Sequence, residues 1–194
     1  MAVRIHIYLL LVMAYMFAIQ NIENFMCMYA FVIMHEIAHM LVALILKMNV
    51  YEIELLPVGV NAKYKGENTK LKELLISLAG PIASFLFALM FENETFKIMN
   101  FSIATFNLIP IKPFDGGKIF ENILKISLNE KIANKILNIL SKIILNLLLI
   151  FSILIVIFSK NYYLVILIIY MICIIKEEAR NARFNAAINY LQID

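Results

Sequence analysis

The sequence predicts an all-α polytopic membrane protein with about six transmembrane helices and a small β-hairpin between helices 2 and 3. Of its 194 residues, 63% are hydrophobic and only 16% are charged, and the mean hydropathy is +0.86. A soluble domain is about half apolar and about a quarter charged. Several apolar runs approach the roughly 20 residues that a helix needs to cross a bilayer. We therefore expect a transmembrane domain over residues 1–175 and a cytosolic helical tail over 176–194.

The apolar runs define six predicted spans: residues 3–19, 25–47, 72–91, 95–110, 136–158 and 162–175. The first, fourth and last are short for a bilayer, so we expect tilt or local thinning there. The first run lacks a clear small-residue cleavage site and further spans follow it, which argues against a removable signal peptide. Both cysteines lie in apolar runs without a Cys-x-x-Cys pattern, which is typical of core residues.

Two polar stretches separate pairs of spans. Residues 48–71 alternate apolar and polar side chains on either side of Gly59, which predicts a β-hairpin at the membrane surface over 51–64. Residues 111–135 begin with a turn rich in Pro and Gly. Isoleucines then recur at roughly helical spacing, which predicts an interfacial amphipathic helix.

The distribution of basic residues predicts the orientation. With a cytosolic N-terminus, six spans place the two polar stretches and the tail on the cytosolic side. All Lys and Arg except Lys97 and Lys160 then lie in the cytosol or at its membrane boundary. Such an imbalance favours this topology strongly, because positive loops stay on the cytosolic side.

The segment HEIAH, residues 35–39, lies well inside the second predicted span. Two His at i and i+4 project from one helical face and can bind a single metal ion. Zinc lowers the pKa of water in its open position to about 7, and Glu36 can accept the proton. In a soluble helix this pattern is often coincidental. Ionisable residues inside a span are costly and usually functional, so we expect a metal site that contains His35 and His39.

A catalytic zinc needs a third protein ligand and an open position. The candidates are Glu52, Glu54, Glu73 and Asp115. Asp115 follows a Pro-rich break at the cytosolic end of the fourth span, and irregular backbone at membrane depth is tolerated only where it is buried or lines a wet cavity. The alternative is that Asp115 only caps the helix that follows. Gly116 and Gly117 permit unusual backbone angles in this turn.

Three motifs resemble the site-2 protease (M50) family of intramembrane zinc metalloproteases. They are HEIAH in the second span, Ala79-Gly80-Pro81 in the third, and the segment from Asn107 through Pro110 to Asp115-Gly116 at the end of the fourth. The order of the pieces is most similar to stage IV sporulation protein FB. The chain departs from that branch in its Val58-Gly59-Val60 turn and in carrying no C-terminal CBS domain before Asp194.

The resemblance implies that His35, His39 and Asp115 bind one Zn²⁺ and that Glu36 is the general base. It assigns Asn107 to substrate binding or oxyanion stabilisation. An interhelical hydrogen bond is the alternative role for Asn107. Close helix packing and a kink explain Gly80-Pro81 structurally.

The implied activity is hydrolysis of a peptide bond in or near the membrane segment of a protein substrate. The implied partners are a pro-sigma factor or an anti-sigma-like protein, membrane inhibitory partners and the lipid bilayer, with no nucleic acid. A general site-2 protease that cleaves anti-sigma factors or signal-peptide remnants is the alternative. A zinc transporter or scaffold is a more distant one, because the last two spans are almost purely apolar and Glu36 is intact.

Overall fold

The computed structural model describes residues 2–5, 13, 17, 22–56, 59–66, 69–112, 114–159 and 172. Within these ranges three strands and five helices follow one another along the chain. They are β1 (Ala2–Ile5), α1 (Ile22–Ile45), β2 (Asn49–Leu56), β3 (Gly59–Lys65), α2 (Lys70–Met90), α3 (Glu94–Asn107), α4 (Asp115–Ser127) and α5 (Glu130–Ser159).

Three of the described helices, α1, α2 and α5, are long and apolar enough to cross a membrane. They correspond to the second, third and fifth predicted spans. The fourth predicted span, 95–110, is instead the 14-residue helix α3. At 1.5 Å per residue α3 measures about 21 Å, short of a hydrocarbon core of about 30 Å. The sixth predicted span and the predicted tail fall almost wholly outside the described residues.

The predicted hairpin is confirmed and belongs to a larger sheet. Strands β2 and β3 pair antiparallel, with Glu54 opposite Asn61, and an irregularity lies between Val50 and Glu52. Strand β1 pairs parallel with the other edge of β2, so the strand order is β1-β2-β3. Residues 2–5 are therefore strand, and the prediction that a helical span begins at residue 3 was wrong. Apolar β-branched residues at the start of the run satisfy either structure, and pairing with β2 decides between them.

The predicted amphipathic helix over 111–135 is divided between two helices. Helix α4 ends at Ser127, and α5 begins at Glu130 and continues to Ser159 as one 30-residue helix. The Asn129 side chain accepts a hydrogen bond from the Lys131 amide at 3.1 Å, which marks a new helix start. Helical spacing of the isoleucines on both sides conceals this break in the sequence.

Two buried apolar clusters hold the turn and the hairpin against the helices. Ile111, Phe114 and Leu145 form one of them and fix the segment between α3 and α4 against α5. Ala43, Met48 and Ile76 form the other, where Tyr64 of β3 packs against the junction of α1 and α2. The turn before Asp115 and the end of α1 are thus both anchored by apolar packing.

Candidate metal centre

His35 and His39 lie on one face of α1, one helical turn apart, and both are almost completely buried. Their rings meet edge to face with centroids 4.8 Å apart, and their Nε2 atoms are 3.2 Å apart. This face packs against α2. The spacing of the HEIAH segment therefore has the consequence expected from the sequence, since both imidazoles point to one place.

Asp115 reaches the two histidines from the first position of α4. Its Oδ2 atom lies 3.0 Å from His35 Nε2 and 3.0 Å from His39 Nε2, and the residue is 7% exposed. Phe114 is the N-cap of α4 and makes no capping hydrogen bond through its side chain. The alternative in which Asp115 caps its own helix is therefore wrong, because Asp115 is already helical and its carboxylate faces the histidines.

The turn that delivers Asp115 needs glycine for space. A Cβ on Gly116 would lie 2.2 Å from the Leu108 carbonyl oxygen, and one on Gly117 would lie 2.5 Å from that of Ile111. Neither glycine has a positive φ; among the described glycines that conformation belongs to Gly66. The conformational freedom that glycine permits is therefore not used for a positive φ at either position. The start of α4 packs directly on the backbone of the preceding turn, and no side chain fits between them.

The same side-chain argument applies to Gly80 of α2. A Cβ there would lie 2.2 Å from His39 Nε2 and 2.4 Å from His35 Nε2. The close helix approach expected from the Ala-Gly-Pro motif is confirmed. Helix α2 approaches α1 most closely beside the Nε2 atoms of the two histidines, so Gly80 leaves space for the metal group itself.

The second ring nitrogens show how the imidazoles are oriented. His39 Nδ1 lies 2.6 Å from the Ile76 carbonyl oxygen, which can only accept, so Nδ1 carries the proton. The Nε2 atom of neutral His39 then presents a lone pair. That lone pair faces a carboxylate oxygen and the His35 Nε2 atom, and acceptors this close together need a shared proton or a metal ion between them.

The Asp115 carboxylate is held in its ionised form. Burial alone would raise the pKa of Asp115, but hydrogen bonds from the rings of His35 and His39, formed when their Nε2 atoms carry a proton, outweigh burial and hold that pKa well below its usual range. The Lys118 ammonium, 3.7 Å from Oδ1, acts in the same direction. An ionised carboxylate beside two imidazoles is a donor set suited to zinc.

The donor geometry also fits zinc. The three ligand atoms form a triangle with edges of 3.0, 3.0 and 3.2 Å. Tetrahedral ligands at the roughly 2.0–2.1 Å that zinc prefers for nitrogen and oxygen lie about 3.3 Å apart. Among the described residues, His35, His39 and Asp115 are the group that could hold a metal ion. Glu52 and Glu73 are outside it, and the Glu54 side chain is outside the described part of the structure.

Glu36 and Asn107, the two other predicted site residues, lie outside the metal group. Glu36 follows His35 on α1 and is half-buried. Burial raises the pKa of Tyr64, and the charges of Glu36 and Asp115 raise it further, so a neutral phenol lies near both carboxylates. Asn107 is the last residue of α3, and its Nδ2 donates to the Ile103 carbonyl at 2.9 Å. The amide is thus tied to its own helix here.

Three groups that lie beside the metal ligands or Glu36 were not predicted from the sequence. These are the Ile76 carbonyl, the Ser84 hydroxyl and the phenol of Tyr64. Ser84 follows Gly80 by four residues, so it lies on the same face of α2, and that spacing is the signal that could have found it. The Ile76 carbonyl belongs to the backbone, which every residue type has, so the sequence gives no signal for it.

The sequence matches peptidase family M50 over residues 24–92 and 94–151, about two thirds of the chain. The chain belongs to peptidase family M50. The match covers all three members of the metal group, which lie in its two segments.

Individual relatives agree with the family. A zinc metalloprotease of Methanocaldococcus jannaschii is 28% identical to this M50 chain over 171 residues, which cover 80% of the chain and 49% of the relative. Stage IV sporulation protein FB of Bacillus subtilis is 27% identical over 131 residues, which cover 60% of the chain and 46% of that protein. The M50 chain therefore spans about half the length of these curated relatives.

A solved structure has a similar fold over most of the length of this chain. The site-2 protease from Methanocaldococcus jannaschii superimposes with a TM-score of 0.68 and 26% sequence identity. The superposition covers 87% of this chain and 86% of that chain. The fold is therefore that of a helical site-2 protease, and the resemblance to this family seen in the sequence is confirmed.

Proposed function

We propose that this chain is an intramembrane zinc metalloendopeptidase that hydrolyses a peptide bond in or near the membrane segment of a substrate protein. Its support is the convergence of His35, His39 and Asp115, three buried ligands, two of them on a helix apolar enough to span a membrane. Membership of a peptidase family gives the chemistry its class. A purely structural zinc site would have a fourth protein ligand, and the described group has three.

The three ligands would hold one zinc ion, which would supply Lewis-acid chemistry that acidifies water and polarises the scissile carbonyl. Glu36 accepts the proton of the attacking water and returns it to the leaving amine. Asn107 turns its amide from the Ile103 carbonyl toward the substrate, where an N–H donor stabilises the oxyanion or holds the substrate strand.

The substrate enters as an extended strand. A helix hides its carbonyl groups, so the cut site must unwind before attack. Strand β3 is an outer strand of the sheet and packs on α1, the helix that carries His35 and Glu36. Its edge offers backbone groups that an unwound substrate can pair with. Proline placed along a substrate near its cut site should block cleavage at alternate positions; equal cleavage of all proline variants would refute this step.

The orientation proposed from the basic residues places both termini in the cytosol and the metal centre in the cytosolic half of the bilayer. His39 precedes Lys47 by eight residues, about 12 Å along the helix axis. Lys97→Cys and Lys131→Cys, each made in a chain whose Cys27 and Cys173 are replaced by serine, should react with membrane-impermeant reagents from opposite sides. Reaction of both from one side would refute the topology.

The substrate proposed first is a membrane-associated pro-sigma factor, supported by the similarity to stage IV sporulation protein FB. An anti-sigma-like protein is the second candidate. Co-expression with each tethered protein would show which one is cut, and co-purification from those membranes would reveal inhibitory partners.

The test of the activity is Glu36→Gln, with Glu23→Gln as the control because Glu23 is an exposed carboxylate at the start of the same helix. Glu36→Gln should abolish cleavage and keep zinc, whereas Glu23→Gln should keep both. Continued cleavage by the Glu36→Gln protein would end the protease proposal. Loss of zinc from it would instead make Glu36 part of the metal site.

A further inference from the structure

One face of α2 contacts the two histidines through three residues that lie on successive turns of the helix. Ile76, Gly80 and Ser84 are spaced by four residues and form a stripe of buried positions. We name these three residues the α2 stripe. Ile76 contacts His39, Gly80 contacts both rings, and Ser84 contacts His35. The stripe and the histidine pair therefore run antiparallel, each imidazole with its own partner on α2.

The two imidazole partners differ in kind. The Ile76 carbonyl accepts and cannot donate, so it fixes His39 in one tautomer. Ser84 Oγ lies 2.8 Å from His35 Nδ1 and can either accept or donate. When it accepts, His35 has the same tautomer as His39, and both Nε2 lone pairs face the Asp115 carboxylate. When it donates, the proton moves to His35 Nε2, which then cannot bind a metal.

Ser84 has no exposed surface, in a helix apolar enough to span a membrane. A buried hydroxyl without a partner costs free energy, so its position beside Nδ1 is maintained by that contact. Ser152 of α5 is a useful contrast, since it is also buried but donates to the Leu149 carbonyl of its own helix. A buried serine can therefore satisfy its hydroxyl within its own helix, whereas the hydroxyl of Ser84 lies beside a ring nitrogen of another helix.

We propose that Ser84 is a positioning residue for the metal centre, which accepts the Nδ1 proton of His35 and holds the ring in its zinc-binding tautomer and orientation. The inference rests on the proposed zinc site. The tautomer of His35 then depends on a side chain that mutation can remove, whereas the tautomer of His39 depends on a backbone carbonyl.

The test measures zinc affinity of the purified full chain in detergent by competition with a chromogenic chelator. Ser84→Ala should weaken zinc binding about 10- to 100-fold, the usual effect of removing such a partner. Ser152→Ala should leave the affinity unchanged. Thermal unfolding of the metal-free proteins should be alike for the two variants, because a loss confined to packing would appear there. Ser84→Thr keeps the hydroxyl and should keep zinc binding, which allows the test even where Ser84→Ala does not fold.

A double-mutant cycle shows whether Ser84 acts through His35. In a His35→Ala background Ser84→Ala should cause no further loss, while in a His39→Ala background the loss should persist. Equal zinc affinity of Ser84→Ala and the unmodified chain would overturn the inference, as would a full further loss without His35. Absence of zinc binding in the unmodified chain would instead refute the proposed function, so the two failures are distinguishable.

Discussion

Replacement of Gly80 by alanine places one methyl group in the metal centre. Its Cβ would lie 2.2 Å from His39 Nε2 and 2.4 Å from His35 Nε2, whereas ordinary contact begins at 3.4 Å. Both metal-facing nitrogens must retreat by about 1 Å, several times the ±0.2 Å tolerance of a ligand distance. Overpacking of this kind costs about 1–3 kcal/mol. If zinc binding carries that whole cost, the affinity falls about 5- to 150-fold.

The metal-free protein should tolerate the methyl better, because unliganded imidazoles can rotate away and alanine favours a helix over glycine by up to about 1 kcal/mol. Zinc affinity by chelator competition and thermal unfolding without zinc separate the two effects. Gly66→Ala is the matched control, since the nearest atoms to its Cβ are at 3.5 Å and its strain comes from a φ of +155°. It should lower stability and leave zinc binding intact. Unchanged zinc affinity in Gly80→Ala would refute the reasoning.

Three further results are expected. Gly116→Ala should lower both zinc affinity and thermal stability, the latter by about 1–3 kcal/mol, because its Cβ would meet the rigid Leu108 carbonyl at 2.2 Å; normal stability would show that the turn can open. Asn93→Ala removes the cap that accepts from two amides at the start of α3 and should cost about 1 kcal/mol in unfolding experiments while zinc affinity is unchanged; altered zinc binding would link this distant cap to the site. Chelation should lower the free energy of unfolding by about 2.7 kcal/mol relative to zinc at 100 times its dissociation constant. Readdition of zinc should restore it and magnesium should not; a chelator-insensitive melt would argue against a metal in the folded protein.

Much of the site could be predicted because residue type and spacing carry it. The i and i+4 histidines require a common face on any α-helix, and an ionisable pair inside an apolar run calls for a partner. Asp115 could be preferred among four candidate acids because a Pro-rich break precedes it. The expectation of a metalloprotease is confirmed at the level of the family.

The parts that could not be predicted depend on tertiary contacts. The Ile76 carbonyl is common to every residue type, and its role follows only from how α2 packs on α1. Strand β1 forms because β2 offers an edge, although the same residues suit a helix in isolation. The break between α4 and α5 lies within continuous helical periodicity. The spacing of residues along the sequence therefore predicts which side chains share a helical face, but tertiary packing decides which faces contact each other.

The separation of the ligands along the chain has a consequence for biogenesis. His39 leaves the ribosome 76 residues before Asp115. At about 5–20 residues per second, that interval is roughly 4–15 s. During it α1 carries only two members of the metal group, fewer than the three protein ligands of a catalytic zinc site. The proposed metal centre is therefore complete only once Asp115 and α4 have been synthesised and have folded against α1.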